Sequence, residues 1–275
     1  TPSQPDQPDG TETWREAYEE TGAYLQAQTA PTAGSIGGEW AVIGLSRAGL
    51  LSDETAQSYE QTVEDYVKQA GSVRLHHAKS TENSRTILGL TAAGYNAANV
   101  AGVDLTAGLT DMAYLRAQGT NGPIWALIAL DAGAYAIPQT VSGTQASRAR
   151  YVQTILDAQT ENGAWGLAAG SEDVDMTAMA LQALAKYTDD DAVNAAVERA
   201  LDWLSTQQRP NGGFFAYGSE SSESAAQVLV ALCELGVPLT DERFVKNGAA
   251  LPDVLARYAL EDGSFRHTPD GESNL

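Results

Sequence analysis

A short apolar segment recurs five times along the chain, and this repeat limits the folds that the chain can adopt. Each copy places a small residue directly before a leucine. These small residues are Gly44, Gly89, Ala129, Ala180 and Ala231. Their separations of 45, 40, 51 and 51 residues accommodate one helical hairpin per unit. The repeat therefore predicts an array of helix pairs.

More polar, amphipathic stretches lie between the apolar copies. They span residues 14–28, 53–70, 106–117, 145–159, 190–207 and 242–259. In 190–207, the residues Val193, Val197, Leu201 and Leu204 form a single apolar stripe at helical spacing. No stretch of alternating polar and apolar residues is long enough to predict a sheet. We therefore expect an all-α fold in which striped helices cover a layer of apolar helices.

Three connections carry a related turn motif: "ILDAQTENGAWG", "WLSTQQRPNGGFF" and "LARYALEDGSFR". In each motif a glycine permits left-handed backbone at a helix end, and the aromatic residue that follows can pack back on the helices. The motifs resemble the Gln…Gly-x-Trp turns of prenyltransferases and squalene cyclases. That resemblance implies an α/α toroid, a closed ring of helix pairs.

Other phrases narrow the resemblance, namely "DVDMTAMALQALA", "SESSESAAQVLVALCELGV", "DERFVKNG" and "GSFRHTPDGESN". They are similar to bacterial secreted or surface proteins with such repeats, related to the toroid domain of the cobalamin carriers intrinsic factor and transcobalamin. The resemblance implies an α6/α6 barrel over residues 14–275, after a flexible N-terminal tether at 1–13. The last inner helix has no counterpart in this sequence. We expect a complementing C-terminal fragment, a neighbouring chain or a local rearrangement to take its place.

In toroids of this kind, the N-terminal ends of the inner helices meet at one mouth of the barrel. The predicted ligand-binding residues at this mouth are Glu39, Trp40, Glu82, Asn83, Trp125, Asp173, Asp175, Ser222 and Glu223, with Ile124 beside them. Indole surfaces combined with carboxylates and amides suit a neutral or cationic ligand that has apolar faces. The alternative is that Trp40 and Trp125 are ordinary core residues.

Asp173 and Asp175 precede an apolar helix and allow two interpretations. Class II terpene cyclases carry Asp-x-Asp-Asp at the matching place, and the middle Asp protonates the substrate. Here Met176 replaces the last Asp, and a thioether cannot donate a hydrogen bond to a neighbouring carboxylate. We therefore predict that an aspartate caps the helix and that no residue is catalytic, Asp175 being the proton donor only if the protein is cyclase-like.

Residues that could bind metal are few. The single thiol, Cys233, lies in an apolar run and is expected to be buried, and the three histidines are His76, His77 and His267. This set predicts no zinc site. With 36 acidic and 16 basic residues the net charge is −20, which disfavours nucleic acid and anionic lipid as partners. No apolar run is long enough to predict membrane insertion.

Three functions follow from these observations. The first is a non-catalytic extracellular binding module for a corrinoid or another small ligand at the barrel mouth, with no cofactor otherwise expected. The second is a surface adhesion or scaffold domain that binds protein or glycan. The third is a terpene-cyclase-like or carbohydrate-active enzyme. The acidic composition, the first residue Thr1 and the tether favour a secreted or cell-surface location.

Overall fold

Eleven α-helices, two short 3-10 helices (Leu105–Leu109 and Ala185–Tyr187) and one small hairpin form the regular structure of the described residues, 11–28 and 30–273 of a computed structural model. The helices are α1 (Thr11–Ala27), α2 (Ile36–Arg47), α3 (Asp53–Ala70), α4 (Ser80–Ala92), α5 (Met112–Arg116), α6 (Asn121–Ala132), α7 (Arg148–Asp157), α8 (Val174–Leu184), α9 (Asp191–Gln207), α10 (Ser222–Leu235) and α11 (Leu251–Ala256). The strands are β1 (Phe215–Ala216) and β2 (Ser219–Glu220), which pair antiparallel. Of the predicted tether, residues 1–10 lie outside the described residues, and α1 begins at Thr11.

The five repeat copies form the inner layer of the fold, as predicted. They correspond to α2, α4, α6, α8 and α10, which pack against one another in chain order. Outer helices cover them, with α7 on α6, α9 on α8 and α11 on α10. The repeated small residue serves this packing directly at Gly89, where a side chain would collide with the Tyr59 ring of α3. The predicted stripe of α9 is also buried.

The turns after the outer helices join each unit to the next. Gln159 Nε2 donates to the Gly163 carbonyl within its own turn, at 2.9 Å, and to the Ala196 carbonyl on α9, at 2.8 Å. Gln208 makes the equivalent bonds to Gly212, at 2.9 Å, and to Phe244, at 3.2 Å. Each side-chain amide therefore satisfies carbonyls from two consecutive units.

The aromatic residues of two turn motifs pack back into the core, as predicted. Trp165 and Phe214 are both fully buried. The Trp165 indole also donates to the Ile155 carbonyl at 2.6 Å, so this side chain packs against α7, the helix before its turn. The indole thereby buries a large apolar surface without leaving its N–H unpaired.

The last turn motif closes the ring. Gly163 and Gly212 lie against the following outer helices, contacting Arg199 of α9 and Val254 of α11, and Gly263 in the third motif lies against Glu20 of α1. Helix α11 also packs on α1, so the last outer helix contacts the first one.

In the inner layer, α2 and α10 keep exposed apolar side chains, with Trp40 39% and Val230 45% accessible. The expected additional inner helix stays a prediction.

Two outer stretches differ from the predicted long helices. The stretch 106–117 is divided, because the backbone around Thr110 and Met112 pairs with Ala146 and Thr144 instead of continuing a helix. In the stretch 242–259, only the six residues of α11 are α-helical. The turn at Asn247 and Gly248, both with positive φ, delays the start of that helix.

Two smaller features also differ from expectation. Cys233, predicted to be buried, is exposed on α10. Burial of part of the thiol and the Glu234 carboxylate still raise the pKa of Cys233. The hairpin of β1 and β2 was not predicted, because its strands are two residues long and depend on a turn in which Tyr217 and Gly218 both have positive φ.

The closing contact at Gly263 can be tested by mutation. In Gly263→Ala the new Cβ would lie 2.5 Å from the Glu20 carbonyl oxygen, and the residue would also keep an unfavourable φ of +83°. We expect a loss of about 3 kcal/mol in the free energy of unfolding, measured by chemical denaturation. The matched control is Gly170→Ala, which has a φ of +76° but no atom within 4 Å of the new Cβ, and should lose only about 1 kcal/mol. Equal losses would contradict a tight contact between the turn and α1.

Candidate functional site

The N-terminal ends of neighbouring inner helices lie together and form a mouth. Glu39 of α2 pairs with Arg85 of α4, and Asp175 of α8 lies near enough to Ser224 of α10 for that side chain to influence its pKa. Each of these residues lies in the first two turns of its helix. The mouth is therefore the place where side chains from several repeat units meet.

Trp40 and Trp125 form an aromatic pair at this mouth. Their ring centroids are 5.4 Å apart and the ring planes are inclined by 60°. The two residues come from α2 and α6, which are separated by α4 in the inner layer. Trp40 is 39% exposed and Trp125 is half-buried, so the pair is not enclosed core. It offers an accessible apolar surface to a ligand.

Beside this pair lies an ion-pair triad of Glu39, Arg85 and Glu82. Arg85 Nε is 3.1 Å from Glu39, and its Nη2 is 2.7 Å from Glu82. Glu39 is fully buried and also accepts a 2.7 Å hydrogen bond from the Gly34 amide. Burial raises the pKa of Glu39, although Gly34 and Arg85 both act in the opposite direction. Because its oxygens are already used inside the protein, Glu39 holds α2 and α4 together.

Two further predicted mouth residues face the protein interior. Asn83 is fully buried and bonds only to backbone, with Nδ2 donating to Val73 and Leu105 and Oδ1 accepting from Leu75. Ile124 is also fully buried. These side chains fasten the loop before α4 and fill the core, and neither is placed to contact a ligand.

Asp173 caps α8, as predicted for one of the two aspartates. Its side chain accepts a 2.9 Å hydrogen bond from the Met176 amide. Asp175, the second residue of the helix, instead lies near Ser224 of α10. Its Oδ1 is buried and has no hydrogen-bond partner in the described residues.

The protonation of Asp175 follows from this environment. Burial raises the pKa of the Asp175 carboxyl, the nearby Ser224 side chain lowers it, and the negative charges of Asp173 and Glu223 raise it further. The net direction is upward. Asp175 is thus a partly desolvated carboxyl group that retains its proton to higher pH than a free aspartate.

The β1–β2 hairpin and the loop after α11 complete the rim around α10. Burial together with the nearby carboxylates of Asp173 and Asp175 raises the pKa of the Tyr217 phenol to about 12. Glu223 Oε2 lies 2.8 Å from His267 Nδ1 and 3.1 Å from Ser222 Oγ. Ser222 and Glu223 were predicted at the mouth, whereas Arg85, Tyr217, Ser219, Ser224 and His267 were not. Arg85 could have been found as the partner of Glu82 three residues earlier, but no local pattern connects the others.

A further depression lies beside the outer helix α9. It has a volume of about 370 Å³ on the outer side of the toroid and is lined by Asn162, Arg199, Asp202, Trp203 and Thr206. Within residues 11–28 and 30–273, no group of His, Cys, Asp and Glu side chains could hold a metal ion. No helix in that part of the chain is long and apolar enough to cross a membrane.

Comparison with known proteins defines the class of this fold. The sequence profile of the squalene-hopene cyclase C-terminal domain matches residues 135–234, which include α7 to α9 and most of α10. No curated protein sequence matches the chain. The architecture described above is the α/α toroid found in terpene cyclases.

Solved structures of the type II terpene cyclase MstE from Scytonema show the same fold. A variant with its substrate, geranylgeranyl dihydroxybenzoate, superposes with a TM-score of 0.63 at 17% identity, covering 93% of this chain and 82% of that chain. The unliganded enzyme gives a TM-score of 0.59 at 17% identity, covering 92% and 82%. A variant with its product, merosterolic acid A, gives 0.57 at 18% identity, covering 93% and 83%. At this identity the similarity establishes the fold alone.

The raised pKa of Asp175 predicts a characteristic pH dependence. The folded protein favours the protonated carboxyl, so the contribution of Asp175 to the free energy of unfolding falls as pH rises above the range of a free aspartate. Asp175→Asn removes this titration. The stability of the variant relative to the wild type should therefore improve between about pH 4 and pH 7, as measured by denaturation at each pH. The exposed Asp189→Asn serves as the control, and an equal shift in both variants would contradict a buried Asp175.

Proposed function

We propose that the mouth is a non-catalytic binding site, which takes a small ligand with an apolar face and a positive charge or hydrogen-bond donor. The observation that supports this most is the accessible pair of Trp40 and Trp125. A ligand that covers these indoles would remove apolar surface from water, which is favourable. The pair would contact the apolar face of such a ligand.

The polar groups at the rim favour a ligand that carries a positive charge or a hydrogen-bond donor. Asp175 Oδ1 is a buried acceptor without a partner in the described residues, and it belongs to the helix next to that of Trp125. An N–H or O–H group of a ligand could donate to this oxygen and remove the free-energy cost of burying it unpaired. The carboxylates of Asp173 and Glu223 add negative charge nearby, and an electron-rich indole face also attracts cations.

A corrinoid is one ligand of this kind, since its macrocycle is flat and its amide groups donate hydrogen bonds. It is proposed here from the resemblance to the cobalamin carriers, as is a secreted or cell-surface location. A smaller organic cation with an aromatic group satisfies the same description.

The proposal predicts a measurable and site-specific affinity. In isothermal titration calorimetry, we expect binding of cyanocobalamin or of benzyltrimethylammonium. Trp40→Leu and Trp125→Leu should each weaken this binding by about tenfold or more, since each removes one of the two contact faces. Trp203→Leu, on the outer side of the toroid, is the control and should bind as the wild type does. Absence of binding by both probes, or binding that survives loss of Trp40 and Trp125, would count against the mouth as the site.

A second candidate function is acid-initiated cyclisation of an isoprenoid. It is favoured by the environment of Asp175, a desolvated carboxyl group at the place of the proton donor of class II terpene cyclases. Against it stands Met176, which supplies neither a charge nor a hydrogen bond to that carboxyl.

Cyclase activity can be tested with the substrate of MstE. Protonation followed by proton loss isomerises a polyene, so a cyclic product of geranylgeranyl dihydroxybenzoate would elute differently at unchanged mass. Asp175→Asn should reduce such a product by about 100-fold or more, whereas Asp189→Asn should not. If no isomer forms with the wild type, this second function is wrong and the binding module stands alone.

A further inference from the structure

A serine, a histidine and a glutamate lie in line at the rim of the mouth, outside the Trp40 and Trp125 surface. Ser219 Oγ is 3.3 Å from His267 Nε2, and His267 Nδ1 is 2.8 Å from Glu223 Oε2. The two ring nitrogens therefore face opposite partners, one a hydroxyl group and the other a carboxylate. This is the order needed for a serine nucleophile, a histidine base and a carboxylate that orients the base.

The three side chains come from separate elements that are fastened to one another. Ser219 begins β2, where its neighbour Glu220 accepts hydrogen bonds from Asn211, at 2.8 Å, and from Tyr258, at 3.2 Å. The His267 carbonyl accepts from the Ser222 amide at 3.0 Å, which ties the loop after α11 to the start of α10. The alignment therefore depends on anchored backbone in all three elements.

Backbone donors are available beside the serine. Ser219 directly follows the hairpin turn, in which Tyr217 has a φ of +49° and Gly218 a φ of +97°. In the part of the chain that the structure describes, the N–H groups of Tyr217 and Gly218 donate to no acceptor. Two free N–H groups next to a nucleophile can stabilise the oxyanion that forms when an acyl group is attacked.

The surroundings indicate the size and nature of a substrate. His267 and Glu223 are 46% and 51% exposed, so the group is reached directly from solvent and does not enclose its substrate. The same hairpin carries two exposed aromatic side chains, Phe215 at 49% and Tyr217 at 74% accessibility. Such faces favour a small ester with an aryl or apolar acyl group.

We propose that Ser219, His267 and Glu223 form an esterase site for small aryl or apolar acyl esters, an activity beyond the proposed ligand binding. Ser219 Oγ forms a bond to the ester carbonyl carbon while His267 Nε2 takes the hydroxyl proton. The carbon–oxygen bond to the alcohol then breaks, and His267 returns the proton to the leaving alcohol. Water, activated by the same nitrogen, next cleaves the acyl-serine bond, which releases a carboxylic acid and regenerates Ser219.

Covalent labelling and ester hydrolysis test this proposal together. Incubation of the full chain with a fluorophosphonate should add one phosphonyl group, and peptide mass spectrometry should place it on Ser219. The protein should also hydrolyse p-nitrophenyl acetate. Both Ser219→Ala and His267→Ala should lower that rate by about 100-fold or more, and Glu223→Gln should lower it by less.

Controls separate this site from general histidine chemistry, because an isolated imidazole can itself attack p-nitrophenyl acetate. The variant His76→Ala/His77→Ala removes the other two histidines and should retain the rate, as should Ser142→Ala in an exposed loop. Circular dichroism of Ser219→Ala checks that the hairpin variant is folded. A folded Ser219→Ala that still hydrolyses the ester, or a wild type that takes no label at Ser219, would overturn the proposal.

Discussion

The fold depends on enclosing five apolar helices that could not face water individually. Each inner helix is covered by its inner neighbours and by the outer layer, and the repeated small residue allows the close approach seen between Gly89 and Tyr59. A row of such pairs would still leave apolar surface at its two ends. Packing of α11 and of Gly263 against α1 brings the outer ends together, so the chain forms a ring instead of an open array.

The mouth has its chemical character because a helix N-terminus needs partners for its free amides. Asp173 at α8 and Ser221 at α10 supply these as capping residues, so polar side chains collect where the inner helices begin. The same region must also carry the first apolar residues of each helix. Indoles and carboxyl groups are thus brought together by the requirements of helix starts before any ligand is considered, and the burial of Asp175 is a consequence of this crowding.

Much of the fold could be predicted from the sequence, because helical periodicity and the repeated small residue are local signals. All five inner helices contain their predicted anchor, and the capping role of Asp173 follows from residue type and position. The site was harder to predict. Asn83 occupies the same position in its repeat as the mouth residues, but its side chain faces inward and hydrogen-bonds to backbone groups of Val73, Leu75 and Leu105. The hydrophobic periodicity of the sequence gives no sign of these backbone partners. His267 meets Ser219 only because two irregular loops are held side by side, and Cys233 is exposed because its face of α10 has no neighbour that covers it in the described residues.

Closure of the outer layer also gives the first helix, α1, a second neighbour. In a linear repeat array, the terminal units have one neighbour each and can fray without disturbing the rest. Here α1 contacts both its own inner helix α2 and the last outer helix α11, and Gly263 leaves no room between its turn and the α1 backbone. Helix α1 therefore has a neighbour on each side, as an internal unit of an array does. The stability of the last repeat unit, in turn, depends on packing against a helix from the opposite end of the sequence.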